Sequence, residues 1–104
     1  MIARTWHGRT RSAEADIYRS YVIDTGIRGL TTTKGNLGVQ IWQRTEGDIT
    51  DIWVVSFWND YESIKAFAGN EIARARYYEE DKKYLLELKP HVQHFEAWDF
   101  KSAN

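Results

Sequence analysis

The chain contains no cysteine, which excludes disulfides and thiol chemistry. It contains one proline, Pro90, so the backbone has a single obligatory helix-breaker. No stretch approaches the roughly 20 apolar residues of a membrane span, and no membrane partner is expected. The opening residues Met1-Ile2-Ala3-Arg4-Thr5-Trp6-His7 lack the apolar run of a secretory leader; the cytoplasm is the expected location. Net charge is −1 and the basic residues are scattered, so no nucleic-acid partner is indicated. There is no glycine-rich phosphate loop and no nucleophile elbow. No two histidines lie four apart, and the spacing of His91 and His94 places them on opposite faces of a strand, so no metal site is expected.

What the chain does have is aromatic side chains. Of its 104 residues 14% are aromatic, five of them tryptophan, against 42% hydrophobic and 28% charged. That length accommodates one domain, residues 1–104, with one modest core.

The stretch Ser56 to Gly69 organises the rest. Its first part closes an aromatic strand and its second opens a helix. Asn59 or Asp60 can cap that helix, and with Asn59 as cap Glu62 completes a capping box. Ile64, Phe67 and Ala68 then share a face, and Gly69 supplies the stop. Before this corner, Ile2 to Gly8 reads as a strand with Ile2, Arg4 and Trp6 on one side. Thr10 or Ser12 can cap the helix that follows, whose apolar stripe is Ile17, Tyr18, Tyr21 and Val22, with Gly26 and Gly29 at its end. Asn36 to Thr45 is a second strand, Glu46-Gly47-Asp48 a hairpin loop, and Ile49 to Trp58 a third strand, apolar on both faces. After the corner, Ile72, Ala75 and Tyr78 predict a helix over Glu71 to Glu80, with a further helical turn in Asp81 to Leu88 ended by Pro90. His91 to Phe100 reads as the last strand.

The order strand, helix, strand, strand, helix, strand predicts an α+β, ferredoxin-like βαββαβ domain with a four-stranded antiparallel sheet. The first and last strands are expected to share the sheet without pairing directly. Helices cover one sheet face only, and the third strand is apolar on both. A second copy of the chain would cover the other face, so a homodimer is expected.

The sequence resembles the antibiotic biosynthesis monooxygenase (ABM) domain family of the dimeric α+β barrel superfamily. The resemblance rests on Gly35-Asn36-Leu37-Gly38, Ser56-Phe57-Trp58, Ile64 to Gly69, Ala75-Arg76-Tyr77-Tyr78, Asp81 with Tyr84-Leu85-Leu86, and Val92 to Glu96. It implies a dimeric barrel of two ferredoxin-like domains. It implies one of three roles: cofactor-independent oxygenation of an aromatic substrate, a non-catalytic dimeric module that binds a small ligand or serves regulation, or haem binding and degradation. A shared fold does not choose among them.

Oxygenation without a cofactor needs an electron-rich phenol or hydroquinone, dioxygen, a dry pocket and a base near neutral pKa. His94 and His7 are the candidate catalytic bases, weighed against the more common role of a histidine hydrogen-bonded at a sheet edge or a dimer interface. Trp58 and Asn59 are candidates for a pocket wall and a polar handle, or for a core indole and a helix cap. Phe67, Tyr77 and Tyr78 are candidates for the aromatic lining between sheet and helices, or for core. The haem-binding pattern, laid along the chain from Trp58, puts Phe67 at its aromatic position and Tyr77 at its iron-ligand position, with no asparagine in the first strand. The expectation is therefore no cofactor and no tight haem binding.

Overall fold

A computed structural model describes all residues, 1–104. Four strands form one antiparallel sheet: β1 (Ile2–Arg11), β2 (Asn36–Glu46), β3 (Ile49–Trp58) and β4 (Gln93–Glu96). Their order across the sheet is β2-β3-β1-β4. β1 pairs with β3 along its whole length, from Ile2 opposite Trp58 to Arg11 opposite Ile49. It also pairs with β4, Arg4 opposite His94. The first and last strands are therefore direct neighbours, contrary to the expectation from sequence. The two crossovers of a split βαβ unit place the chain ends on adjacent strands, with the β2–β3 hairpin at the other edge.

The first crossover is helical throughout. A 3-10 turn (Ser12–Glu14) leads into α1 (Ala15–Val22), a π-helical turn (Ile23–Ile27) and α2 (Arg28–Thr31). Gly26 and Gly29 lie within this rod, not at its end. No side chain caps its start: Thr10 is buried in β1 and bonds the Tyr84 carbonyl, and Ser12 bonds Gly47 O and Thr50. Tyr18 and Val22 are buried, whereas Ile17 faces out.

Helix α3 (Tyr61–Ala68) starts at Asp60, whose carboxylate accepts from Ser63 N at 2.9 Å. The cap is thus Asp60, and the Asn59–Glu62 box does not form; Asn59 instead donates its backbone N–H to Gly35 O. Gly35 has φ 93°, and a β-carbon there would overlap Ser63, so only glycine lets the β2 entry pass this close to α3.

Residues 71–80 are not helical. Their backbone groups are committed elsewhere: Val92 N donates to Ala73 O and Ala75 N to Pro90 O, both at 2.8 Å. The segment pairs with the approach to β4 and leads to a single helical turn, α4 (Asp81–Tyr84). The predicted last strand starts late, at Gln93, because residues 90–92 are spent on that pairing, and it stops at Glu96.

Ile2, Arg4, Trp6, Val54, Ser56 and Trp58 share the face beneath the helices. The core there is built on Tyr18, Val22, Leu30, Ile52, Trp58 and Ile64. The opposite face carries Trp42, Trp53, Phe57 and Phe95, with no element of this chain above them. Trp42 and Phe95 remain 51% and 50% exposed.

Candidate functional site

Between sheet and helical rod lies a cavity of about 60 Å3. Arg4 and Trp6 of β1 and Val54 and Ser56 of β3 form its floor. Tyr18, Val22, Gly26 and Leu30 of the rod form its roof. Phe67, Arg76, Tyr78 and Asp81 close the side. The volume is below the roughly 150 Å3 of a cavity that holds a benzene ring. A ring therefore enters only if a wall gives way. On the solvent side that wall is the irregular segment 70–80, whose Arg76 is exposed.

Arg4 is 4% exposed and has no carboxylate in ion-pair range. Its Nη1 donates to Ile72 O, its Nη2 to Arg74 O at 3.3 Å, and its Nη1 also meets His94 Nε2 at 3.3 Å. Burial lowers its pKa to about 10. A guanidinium only donates, so His94 Nε2 accepts and the ring proton sits on Nδ1. Burial, then the Arg4 charge, pushes the His94 pKa down, so this histidine is neutral at pH 7.

A second polar pair faces the cavity. Tyr18 donates to Asp81 Oδ1 at 2.9 Å, and Tyr78 N donates to Asp81 Oδ2. Burial raises the Asp81 pKa above the ordinary carboxylate value, and it raises the Tyr18 phenol, with the Asp81 charge adding to the shift. The Tyr78 hydroxyl and the Trp6 indole N–H are buried without hydrogen-bond partners.

Of the residues singled out from sequence, Phe67 and Tyr78 line the cavity. Trp58 is fully buried one layer away, 6.3 Å from the Phe67 ring, with its Nε1 bonded to Ser56 Oγ at 2.8 Å. Asn59 is exposed at the corner. Tyr77 packs edge-on against Trp6 and donates its hydroxyl to Lys89 O at 2.6 Å. His94 meets the cavity only through Arg4. His7 lies on the opposite sheet face, where Nδ1 accepts from Lys89 and Nε2–H donates to Asp51 at 2.7 Å. The two histidines are thus separated by the sheet itself.

Arg4, Tyr18, Arg76 and Asp81 were not singled out from sequence. Arg4 carried a signal, because it alternates with Ile2 and Trp6 on a face that should be apolar. Arg76 and Asp81 entered only within the stretches that carry the family resemblance, and Tyr18 only within the apolar stripe of the first helix.

No family model matches the chain, and no curated protein matches it closely enough to count as a relative. Solved structures do match. A mutant of MhuD, crystallised with two manganese protoporphyrin IX molecules bound per active site, is 18% identical with a TM-score of 0.62, covering 98% of this chain and 100% of that one. A Bacillus cereus protein provisionally named an antibiotic biosynthesis monooxygenase is 12% identical with a TM-score of 0.66, covering 98% and 97%. The chain has the antibiotic biosynthesis monooxygenase fold. At these identities the likeness reaches the backbone and no further, so the site has to be read from its own residues.

A porphyrin does not suit those residues. Tyr77, at the position the haem pattern gives to the iron ligand, is turned to the Lys89 carbonyl, and burial raises its pKa, so a phenolate ligand is disfavoured.

Proposed function

We propose that the chain is a cofactor-independent monooxygenase of a small electron-rich aromatic, a phenol or hydroquinone, oxidised by dioxygen in the cavity between sheet and helices. The observation that carries this reading is the Tyr18–Asp81 pair, which sets a buried carboxylate with a raised pKa against aromatic and aliphatic walls. A base of that kind takes a phenolic proton at neutral pH, because its own affinity for protons has moved toward the operating range. The Tyr18 hydroxyl holds the carboxylate in place. The deprotonated ring gives an electron to dioxygen and recombines with it at carbon, and loss of water leaves a quinone. Phenol plus dioxygen yields quinone plus water, so no outside reductant is required.

In this scheme the ring meets Phe67 and Tyr78 at the side of the cavity, and Trp58 supports Phe67 from behind. Tyr77 fixes the segment that carries Tyr78 through its bond to Lys89 O. His94 is a positioning residue for Arg4, and His7 belongs to the dimer face. A homodimer, with the open sheet faces of two copies apposed, completes the proposal. No helix is long and apolar enough to cross a membrane.

Dioxygen uptake with a panel of phenols and hydroquinones tests the reading. Uptake should exceed spontaneous oxidation for at least one member and fall at least 100-fold in Asp81→Asn with the circular dichroism spectrum unchanged. Uptake no faster than in buffer across the panel would defeat it and favour the non-catalytic ligand-binding or regulatory module.

A further inference from the structure

The charge lining the cavity does not balance. Its ionisable cations are Arg4 and Arg76, and its one carboxylate, Asp81, is occupied by Tyr18 and by Tyr78 N. Two guanidiniums against one acid leave one positive charge. Neither arginine makes an ion pair with any carboxylate of the chain. Both flank the same ring: Arg4 lies 5.8 Å and Arg76 4.9 Å from the Phe67 centroid, and Arg76 lies 5.2 Å from Tyr78. For the buried Arg4, desolvation without a counter-charge is unfavourable, and the Ile72 and Arg74 carbonyls offset it only in part; Arg76 is exposed and donates to Phe67 O at 3.0 Å. The unpartnered Tyr78 hydroxyl adds a further buried donor beside them. The cavity thus offers donors and an excess of positive charge beside its aromatic walls.

We infer that the ligand of this cavity is an aromatic acid whose carboxylate pairs with Arg4 and Arg76 while its ring lies among the aromatic side chains of the cavity. The inference rests on the reading of this cavity as the substrate site. It adds a requirement that a phenol alone does not meet, namely a permanent negative charge on the ring. Guanidinium and carboxylate match in geometry as well as charge, since two parallel N–H groups can serve two oxygens. Arg76 is exposed at the mouth and Arg4 is buried at the floor, so the first meets the acid on entry and the second holds it.

The test compares 2,5-dihydroxybenzoate with 2,5-dihydroxybenzamide, titrated anaerobically into the full chain and followed by calorimetry. The two differ in charge and share the ring. The acid should bind one per chain and at least tenfold more tightly than the amide at pH 7. Arg76→Gln should weaken the acid several-fold and leave the amide unchanged, and Arg4→Gln should abolish the preference. If Arg4→Gln does not fold, the wild-type comparison and the exposed Arg76 variant still decide. Equal binding of acid and amide, no binding of either, or equal loss of both in Arg76→Gln would overturn the inference. Acid binding without oxygen uptake would keep this site and defeat the oxygenase reading. Uptake with no preference for the acid would do the reverse.

Discussion

The Tyr18 hydroxyl reaches Asp81 Oδ1 at 2.9 Å across 63 positions of sequence, and this bond joins the first crossover to the second. It is buried, and it leaves Asp81 with one side-chain donor. Tyr18→Phe should therefore cost about 1–3 kcal/mol, the loss expected when a buried acceptor is stranded. Burial raises the Asp81 pKa, so the folded state prefers the protonated acid. The stability this acid contributes is full below the ordinary aspartate value of about 3.9 and declines as pH rises through its folded value. Urea unfolding over that range should show wild type losing stability relative to Asp81→Asn as pH increases. A constant difference would mean that Asp81 titrates as it does in the unfolded chain.

The corner around β3 was legible in the sequence because its signals are local. The apolar run from Ile49 to Trp58, a short acceptor side chain and a terminal glycine define a strand, a cap and a stop within 21 residues of one another, and the structure places β3 and α3 there. Residues 71–80 misled for the opposite reason. Ile72, Ala75 and Tyr78 carry a helical period, but the partners that hold the segment extended are residues 90–92 and the Arg4 guanidinium, none of them nearby in sequence. The site suffered the same way. Phe67 and Tyr78 were visible as aromatics, whereas the polar groups facing the cavity arrive from β1, α1 and α4 and meet only once the chain is folded.

The uncovered sheet face leads to a prediction about assembly. Trp42, Trp53, Phe57 and Phe95 form an apolar surface that a lone copy leaves in water. Apposing two such faces would bury it, at roughly 25 cal/mol for each Å2 of apolar area removed. Sedimentation at micromolar concentration should return twice the 12.2 kDa chain mass. Trp42→Glu, at a half-exposed position, should give the single-chain mass with an unchanged circular dichroism spectrum. A wild-type monomer would remove the dimer from the proposal.

Gly29 offers a way to close the cavity from its roof. A β-carbon there would stand 3.0 Å from the Tyr78 hydroxyl and 3.3 Å from Phe67 Cε1. Gly29→Ala should change stability by no more than about 1 kcal/mol, because the helix propensity gained over glycine offsets the tight contacts. Gly29→Val adds two more methyl groups to a space of about 60 Å3 and should lower 2,5-dihydroxybenzoate affinity at least tenfold. Gly26→Ala, whose β-carbon would meet Tyr78 Cε2 at 3.8 Å, should have a smaller effect. Undiminished binding in Gly29→Val would place the ligand outside this cavity.

Haem binding, the third role that the sequence resemblance implies, is the comparison to settle. Iron ligation by this chain would fall to Tyr77 on the family pattern. Three features oppose it. The Tyr77 hydroxyl is already donated to Lys89 O at 2.6 Å. Burial raises its pKa, so forming the phenolate that ferric iron requires becomes harder still from a reference value of about 10. Tyr77 also does not line the cavity, whose floor and side are instead set with Arg4 and Arg76. Those two cations can attract the propionates of haem, so weak association is compatible with the charge of the site, while a coordinated iron is not. Ferric haem titrated into the chain should therefore give no saturable Soret shift at one per chain, and Tyr77→Phe should titrate like wild type. A one-per-chain shift that disappears in Tyr77→Phe would show that the segment carrying Tyr77 can turn inward, and haem would then displace the aromatic acid as the ligand of this fold.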